Sequence, residues 1–428
     1  MLLRNYLKMK QHKLYTFQDA VKQTAPVFFS TMAKPAGSTC NLDCHYCYYL
    51  DKAEQYGGKQ AVMNDEMLEE YIRQYITANE VDTVHFCWHG GEPLLLGVDY
   101  YQKALDFQQK YADGKTIVNT LQTNGTLIDS RWCEFFAKNR ILVGISLDGP
   151  QDIHDAFRQT KGGRPTWERV MQSIDLCRQN HVDFNTLSVV NKLCEGRGVE
   201  IYRFFRNTVG SRYMQFLPAV EHVINRGEMR RPLIVSPDTE HAQLAPWSVS
   251  AKGYGDFLCD VFDEWILRDV GSYFVQMFDA TLAGWCGVQA GVCTLGETCG
   301  ENLTVEHNGD VFSCDHFVYP EYKLGNILTT PLKDLFRSQK RIDFGLAKRN
   351  ALPQSCLRCK YFFACHGECP KHRFERDADG FLGNTLCEGL YHWFSHAEPY
   401  MNQMRTLIER NESPAWVMAY ARKRMGLL

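Results

Sequence analysis

The stretch Thr39-Cys40-Asn41-Leu42-Asp43-Cys44-His45-Tyr46-Cys47 places three cysteines within eight residues. This spacing allows one short loop to present three sulfurs to a single metal centre. A cluster of four irons needs four ligands, so three cysteines leave one iron free to bind a group that is not protein. The stretch therefore indicates a catalytic iron-sulfur cluster. A zinc site formed by the three cysteines and His45, or three packed thiols, is the alternative that the stretch alone leaves open.

The order CxxxCxxC, with the aromatic Tyr46 before its last cysteine, resembles the signature of the radical S-adenosylmethionine superfamily. The segment CNLDCHYCYYL is similar to the same segment of the anaerobic sulfatase-maturating enzymes. This resemblance implies a [4Fe-4S] cluster whose open iron binds the amino and carboxylate groups of S-adenosylmethionine. It also implies that an electron from the cluster cleaves this cofactor to a 5'-deoxyadenosyl radical. By the same resemblance, the cluster ligands are Cys40, Cys44 and Cys47, and Tyr46 lies at the cofactor.

The length and composition indicate a globular protein. A chain of 428 residues is long enough for two or three domains. Its charged fraction of 23% is ordinary, and its net charge of -3 provides no basic field for nucleic acid. Residues 1–15 mix charged with apolar side chains, and no apolar run is long enough to span a bilayer. We therefore expect a cytoplasmic protein with neither a nucleic-acid nor a membrane partner.

The chain contains 17 cysteines, which in a reducing compartment favour metal clusters over disulfides. Most of them occur at the close spacings of metal ligands. Six lie outside these motifs, and we expect most of those six to be small buried hydrophobic residues. They are Cys87, Cys133, Cys177, Cys194, Cys259 and Cys286.

Predicted strands and helices alternate along the amino-terminal half. Apolar patterns indicate strands at 27–34, 84–88, 116–123, 141–147, 182–190 and 213–218, with helical patterns between them. The first helix follows Asn64, a candidate N-cap, and its apolar positions are Leu68, Tyr71, Ile72, Tyr75 and Ile76. This alternation calls for a parallel sheet. Six units predict an α/β fold with a partial (β/α)6 TIM-like barrel, whose open mouth would suit a peptide substrate.

Polar and glycine-rich motifs follow several of the predicted strands, where barrel enzymes keep their active sites. They are Cys40–Cys47, Gly90–Pro93, Gln122–Gly125, Ser146–Gly149 and Gln215–Val220. The segment Gly90-Gly91-Glu92-Pro93 resembles the GGEP motif of the superfamily, whose backbone approaches the methionyl amino group of the cofactor. Glycines allow this approach because they have no side chain.

The resemblance implies three further cofactor contacts. Ser146 and Arg158 match the polar residues that hold the ribose and the carboxylate of the cofactor, and an arginine can bind a carboxylate with two hydrogen bonds. Val220 stands where the family has an apolar contact, often leucine. Without the resemblance, Ser146 would be a turn residue, Arg158 a solvated charge and Val220 a core residue.

The sequence predicts four regions. Residues 1–220 form the barrel with its cysteine loop. Residues 221–250 are irregular, and a helix at 254–270, with Phe257, Val261 and Trp265 inward, completes a bridging region that ends at 290. Residues 291–390 form a cysteine-rich domain, with a hairpin predicted around Asn308-Gly309. Residues 391–428 form a helical tail.

The cysteine-rich region contains eight cysteines, which is enough for two complete sets of four ligands. Two zinc ribbons would have the same ligand count. The spacing resembles the SPASM extension, which carries two auxiliary [4Fe-4S] clusters. By this resemblance, the first cluster is bound by Cys293, Cys299, Cys314 and Cys369, and the second by Cys356, Cys359, Cys365 and Cys387. Fully ligated clusters should move electrons rather than bind peptide.

Together, the motifs resemble the anaerobic sulfatase-maturating enzymes along nearly the whole chain. This resemblance implies oxidation of a cysteine or serine to Cα-formylglycine in an unfolded or nascent sulfatase polypeptide, with electrons from a reduced flavodoxin- or ferredoxin-like donor. It implies that Asp315, directly after Cys314, is the base that accepts the thiol or hydroxyl proton. Tyr49, just beyond the cysteine loop, is expected to face the peptide, with packing as the alternative.

Two other functions remain open at this point. One is another SPASM-type peptide modifier, which forms thioether crosslinks or processes a quinone-cofactor precursor. Many such proteins carry an extra amino-terminal recognition domain, whereas about 26 residues precede the first predicted strand here. The other is a non-catalytic adaptor with zinc ribbons, which metal analysis would distinguish from an iron-sulfur enzyme.

Overall fold

The computed structural model describes residues 27–56, 62–227, 231–376 and 380–427. Residues 1–26, for which the sequence predicts no leader, lie outside the described residues, as does Leu428. Within the described ranges, no helix has both the length and the apolar character needed to cross a membrane.

Six parallel strands form the barrel at the positions that the sequence predicts. They pair side by side in chain order, all in parallel, so the predicted partial (β/α)6 architecture is confirmed. The strands are β1 (Ser30–Lys34), β2 (Thr83–Trp88), β3 (Thr116–Thr123), β4 (Leu142–Ser146), β5 (Phe184–Val190) and β6 (Tyr213–Pro218).

Strand β1 begins three residues later than predicted. The N–H of Val27 donates to the carboxylate of Glu80 at 3.0 Å, and the N–H of Phe29 donates to the side chain of Asn79 at 3.1 Å. These backbone groups are therefore satisfied by residues that follow a helix, and not by a neighbouring strand. Ladder pairing starts at Ser30, whose N–H donates to the carbonyl of Glu301.

Helices connect the strands and cover the sheet. In the first helix, the side chain of Asn64 accepts the N–H of Met67 as predicted, and the apolar positions named above are all buried. The helices are α1 (Asp65–Ala78), α2 (Val98–Tyr111), α3 (Ser130–Asn139), α4 (Gln151–Phe157), α5 (Trp167–Gln179) and α6 (Gly198–Arg203), the last continued by a π-helical turn at Phe204–Val209.

The connection that the sequence predicts to be irregular contains a small antiparallel sheet. Its strands are β7 (His222–Ile224), β8 (Leu233–Ile234) and β9 (Gln243–Leu244). Strands of two or three residues are too short to show an alternating pattern, so the sequence does not reveal them. The predicted bridging helix follows as α7 (Ala251–Arg268), with Phe257, Val261 and Trp265 buried.

The cysteine-rich region extends the barrel sheet. Strand β10 (Phe274–Val275) pairs with β6 at one edge, and β11 (Asn302–Glu306) pairs in parallel with β1 at the other. Strands β12 (Asp310–Phe312) and β13 (Lys323–Asn326) then continue in antiparallel fashion, so the predicted hairpin around Asn308-Gly309 is confirmed. The register pairs Lys34 at the end of β1 with Glu306 at the end of β11.

Helices complete the carboxyl-terminal half. Gly255 in α7 and Gly389 in the long helix that follows the last cysteine are in close contact, and a side chain on either would collide with the backbone of the other helix. The remaining elements are α8 (Gln276–Trp285), α9 (Leu332–Arg337), α10 (Gln339–Asn350), α11 (Gln354–Leu357), α12 (Phe362–Cys365), β14 (Arg373–Arg376), β15 (Leu382–Asn384), α13 (Cys387–Glu409) and α14 (Val417–Arg424).

Candidate active site

The cysteine loop leaves the carboxyl end of β1 and is held by backbone hydrogen bonds. The N–H of Asp43 donates to the carbonyl of Gln159 at 2.8 Å, and the N–H of His45 donates to that of Phe157 at 3.1 Å. The three thiols face one another. Burial raises the pKa of the Cys40 thiol to about 12, with smaller contributions from Glu92 and Cys47.

Burial likewise raises the pKa of the Cys44 thiol, which the other two cysteines of the loop raise further. Buried thiols with raised pKa values are unfavourable as free thiolates, and positively charged iron would stabilise the thiolate form that binds metal. The donor set therefore fits an iron-sulfur cluster.

The glycine motif packs directly on the cysteine loop. The N–H of Gly91 donates to the carbonyl of Gly37 at 2.7 Å, and the N–H of Glu92 donates to that of Thr39 at 2.8 Å. A Cβ on Gly91 would collide with the Thr39 carbonyl, and Gly90 has φ +137°, which favours glycine. The two motifs therefore need glycine at these positions in order to meet.

The carboxylate of Glu92 is fully buried and accepts three hydrogen bonds. It accepts hydrogen bonds from the N–H groups of Leu94 and Asn124 and from the hydroxyl of Thr123. Burial raises the pKa of Glu92 to about 7, although the three hydrogen bonds act to lower it. The side chain therefore fixes the ends of β2 and β3 relative to the loop, a structural role that the motif alone does not reveal.

Part of the Arg158 guanidinium group is already hydrogen-bonded within the protein. Its Nε and Nη2 donate to the Asp148 carboxylate at 3.0 and 3.1 Å, and both side chains are buried. The hydroxyl of Tyr46 also donates to Asp148. An arginine has five N–H donors, so the remaining ones are available to a ligand carboxylate. The sequence analysis does not identify Asp148, although it is the residue that orients both Arg158 and Tyr46.

Ser146 and Val220 occupy different kinds of position. The hydroxyl of Ser146 accepts a 3.1 Å hydrogen bond from Gln122, so two of the predicted strand-end motifs meet there. Val220 is fully buried within the large hydrophobic core.

The eight cysteines of the second system form two groups. Burial raises the pKa of the Cys314 thiol, as do Asp315, Cys293 and Cys369, and Cys299 and Cys293 act in the same way on Cys369. In the other group, burial raises the pKa of Cys365 to about 12, with contributions from Cys387 and Cys356, and Cys359 raises that of Cys387. Cys293 and Cys369 therefore lie near Cys314, and Cys356 and Cys387 lie near Cys365, while the assignment of ligands to two clusters stays a prediction.

A single metal ion and an iron-sulfur cluster require different spacings between their donors. Zinc requires four donors at about 2.0–2.3 Å from one point. In the part of the chain that the structure describes, no three His, Cys, Asp or Glu side chains converge closely enough for a single metal ion. Cluster ligands stand further apart because the irons and sulfides lie between them.

Asp315 lies where the two cysteine systems meet. Its carboxylate accepts a 2.6 Å hydrogen bond from the hydroxyl of Tyr48, which directly follows Cys47, and the Tyr48 ring stacks on His316 with centroids 4.6 Å apart. Burial raises the pKa of Asp315, but the neighbouring His316 and Lys34 side chains and the hydrogen bond from Tyr48 outweigh it and hold that pKa well below its usual range.

Because burial lowers the pKa of His316 to about 3, its imidazole is neutral near pH 7. Lys34 and the Tyr48 hydroxyl then remain as groups that favour the carboxylate form of Asp315. The sequence predicts no role for Tyr48, although it lies in the segment CNLDCHYCYYL, or for Lys34, the last residue of β1.

Tyr49 is buried beside this group. Its hydroxyl donates to the Glu306 carboxylate, and its ring lies under the Lys34 ammonium, with Nζ 3.8 Å from the ring centroid. The predicted substrate residue therefore lies between a cation and a carboxylate at the barrel mouth, with its hydroxyl already engaged.

Comparison with known proteins agrees with this geometry. The radical SAM superfamily matches residues 35–204, and an iron-sulfur cluster-binding domain, SPASM, matches residues 293–360. A serine-type anaerobic sulfatase-maturating enzyme of Bacteroides thetaiotaomicron is 46% identical over 90% of this chain and 94% of its own. The chain belongs to the anaerobic sulfatase-maturating enzymes. It is therefore a radical SAM enzyme whose cofactors are S-adenosylmethionine and iron-sulfur clusters.

Other members of this family are more distant. A cysteine-type anaerobic sulfatase-maturating enzyme of Clostridium perfringens is 30% identical over 86% of this chain and 96% of its own. The solved structure described as native anSMEcpe with bound AdoMet has a TM-score of 0.77 at 29% identity, covering 88% of this chain and 99% of that one. Membership in a family of enzymes rules out the non-catalytic adaptor.

Proposed function

We propose that this enzyme oxidises a serine or cysteine of a sulfatase to Cα-formylglycine, with serine as the first candidate. The 46% identity to a serine-type relative supports serine, since the cysteine-type relative of Clostridium perfringens is 30% identical. The substrate is an unfolded or nascent sulfatase polypeptide in the cytoplasm. A structure of the same family with a bound peptide supports a peptide substrate.

Three [4Fe-4S] clusters serve this reaction. The cysteine loop holds the first through Cys40, Cys44 and Cys47. Cys293, Cys299, Cys314 and Cys369 hold the second, and Cys356, Cys359, Cys365 and Cys387 hold the third. The mutual effects of these thiols on their pKa values support this division. We retain the division into a barrel at 1–220, a bridge at 221–290, a cluster domain at 291–390 and a tail at 391–428.

S-adenosylmethionine bound to the first cluster supplies the radical chemistry that removes one hydrogen atom from the substrate Cβ. The side chains and backbone that hold this cofactor are Tyr46, Gly90, Gly91, Glu92, Ser146, Arg158 and Val220. The hydrogen bonds from Gly91 to Gly37 and from Glu92 to Thr39, and the N–H donors of Arg158 that Asp148 leaves unused, support this assignment.

Asp315 accepts the proton of the substrate hydroxyl or thiol. An ordinary carboxylate is too weak to deprotonate a resting serine, but a carbon radical that bears a hydroxyl group is far more acidic, so a well-placed carboxylate is sufficient. The single observation that carries this proposal is the contact of Asp315 with Tyr48, because it joins the residue after Cys314 to the residue after Cys47. An auxiliary cluster held by Cys314 and its partner cysteines would take up the remaining electron.

The reaction requires two partner molecules, the peptide substrate and an electron donor. Tyr49 borders the peptide beside the reacting group, and a reduced flavodoxin- or ferredoxin-like protein donates electrons to the first cluster.

The test is anaerobic. The protein is reconstituted with iron and sulfide, reduced, and incubated with S-adenosylmethionine and paired peptides that carry serine or cysteine in a sulfatase motif of the C/S-x-P/A-x-R kind. We expect an aldehyde, identified by mass and by hydrazine trapping, that forms together with 5'-deoxyadenosine. Release of 5'-deoxyadenosine with both peptides unchanged would contradict the proposal.

A further inference from the structure

Lys34 is a buried cation without a polar partner. Its side chain is 0% exposed at the carboxyl end of β1, one residue before the turn that leads to the cysteine loop. Among the residues that the structure describes, its Nζ has no hydrogen-bond acceptor. A buried ammonium group is strongly destabilising unless it is paired, so this side chain needs a reason to be there.

The aromatic ring of Tyr49 compensates only partly for the burial of the Lys34 ammonium. The ammonium lies 3.8 Å from the centre of the Tyr49 ring and 5.7 Å from that of Tyr48, which are cation–π contacts. Glu306 is the register partner of Lys34, but its carboxylate accepts the Tyr49 hydroxyl and lies 3.6 Å from His307. Lys34 therefore contacts the face of Tyr49 while Glu306 contacts its hydroxyl, and the two charges do not form an ion pair.

The surroundings of Lys34 are those of the reacting centre. A Cβ placed on Gly90 of the glycine motif would lie 3.6 Å from the Lys34 Cα. The Tyr48 ring, whose centre is 5.7 Å from the Lys34 ammonium, carries the hydroxyl that donates to Asp315 at 2.6 Å. One unpaired cation thus lies beside the cofactor motif, the proposed base and the proposed substrate tyrosine.

We propose that Lys34 donates a hydrogen bond to the oxygen of the substrate serine, on the side opposite Asp315. This inference rests on the proposed function. Serine oxidation removes one hydrogen atom to the cofactor radical, one proton to Asp315 and one electron to an auxiliary cluster, and leaves the aldehyde. When the proton leaves, negative charge collects on the oxygen, and a fixed ammonium stabilises that charge most at that moment. The substrate oxygen also supplies the acceptor that Lys34 lacks.

The first variant is Lys34→Met, which keeps the length and apolar stem of the side chain and removes its charge and donor. With the serine peptide, we expect the kcat for formylglycine to fall by about 100-fold, in the range found when one donor to a developing oxyanion is removed. Release of 5'-deoxyadenosine should continue, so the variant should form more 5'-deoxyadenosine than aldehyde. The Kd of the peptide, measured calorimetrically with S-adenosylmethionine and without reductant, should change by less than about 3-fold.

The matched control is Lys52→Met. Lys52 is also a buried lysine, 3% exposed, and its Nζ lies 3.0 Å from the centre of the Tyr319 ring. It should retain coupling of 5'-deoxyadenosine to aldehyde. An equal loss in both variants would assign the effect to buried charge in general and overturn the role of Lys34.

Two further results would overturn the inference. A Lys34→Met enzyme with the parental kcat means that Lys34 does not act on the reacting oxygen, and a loss confined to peptide Kd means that it binds another part of the peptide. If Lys34→Met fails to bind iron, Lys34→Arg and Lys34→Gln replace it, and the charged variant should exceed the neutral one in kcat. If the parent enzyme makes no formylglycine, the proposed function itself fails. If the parent and Lys34→Met make formylglycine at the same rate, the proposed function stands and only the role of Lys34 fails.

Discussion

The hydroxyl of Tyr48 donates a 2.6 Å hydrogen bond to the carboxylate of Asp315, although the two residues are 267 positions apart in the chain. Tyr48 follows the last cysteine of the first system, and Asp315 follows the third cysteine of the second. The bond therefore sets the position of the proposed base relative to the radical chemistry. An error in that position affects rate strongly, because proton transfer requires hydrogen-bond reach.

Tyr48→Phe should lower the kcat for formylglycine by about 10-fold, since a hydrogen bond to a charged group is worth about 1.5–3 kcal/mol. Iron content and cleavage of S-adenosylmethionine without peptide should stay near the parental values. Tyr202→Phe is the matched control, because it removes a buried 2.8 Å bond to Asp269, and both residues lie outside the cysteine loop and the cysteine-rich region. It should change stability and not kcat. Unchanged kcat in Tyr48→Phe would show that Asp315 is held by other contacts.

Asp315→Asn keeps the shape of the side chain and removes the base. We expect full iron content and continued cleavage of S-adenosylmethionine, while formylglycine nearly vanishes. Asp310→Asn, in the same hairpin but bound to Lys323 at 2.6 Å, should retain activity. Formylglycine production by Asp315→Asn at close to the parental rate would transfer the role of base to His316 or to a bound water.

Tyr49→Phe removes the hydroxyl that the buried Glu306 accepts. The second carboxylate oxygen of Glu306 has no hydrogen-bond partner among the described residues, so this change leaves a buried carboxylate poorly satisfied. Peptide turnover should fall by about 3- to 10-fold, while iron content changes little. Turnover equal to that of the parent would make Tyr49 a packing residue only.

Iron analysis tests the assignment of ligands. Three four-iron clusters require about twelve irons per chain after anaerobic reconstitution. Replacing Cys40, Cys44 and Cys47 together with Ala should leave about eight irons and abolish cleavage of S-adenosylmethionine, because the other two ligand sets are separate. Stoichiometric zinc in the parent, or cleavage by the triple variant, would refute the assignment.

Gly91→Ala tests the contact between the glycine motif and the cysteine loop. The new methyl group would collide with the Thr39 carbonyl, so the loop must shift. We expect weaker binding of S-adenosylmethionine and loss of about four irons, with the auxiliary clusters intact. In Gly162→Ala, the nearest atom to the new Cβ is 3.9 Å away, so that variant should bind iron like the parent.

Much of the fold follows from local sequence patterns. Alternating apolar residues and a side-chain cap predict the six barrel strands and helix α1, because burial of one face imposes a regular period on the chain. Cysteines a few residues apart predict a cluster loop for a similar local reason. The three short strands between residues 222 and 244 carry too few residues for any period to show.

The sequence by itself determined the parallel barrel, the cysteine loop, the glycine motif and the family, since each is encoded by residues close together in the chain. The tertiary structure alone decided that β11 joins the barrel sheet beside β1, that Asp148 holds Arg158, and that Tyr48 holds Asp315. Within the described ranges, it also leaves the buried Lys34 ammonium without a hydrogen-bond acceptor. These relationships join residues that are distant in sequence. Which of these side chains come into contact depends on how the helices and sheets pack together, and local sequence patterns do not encode that packing.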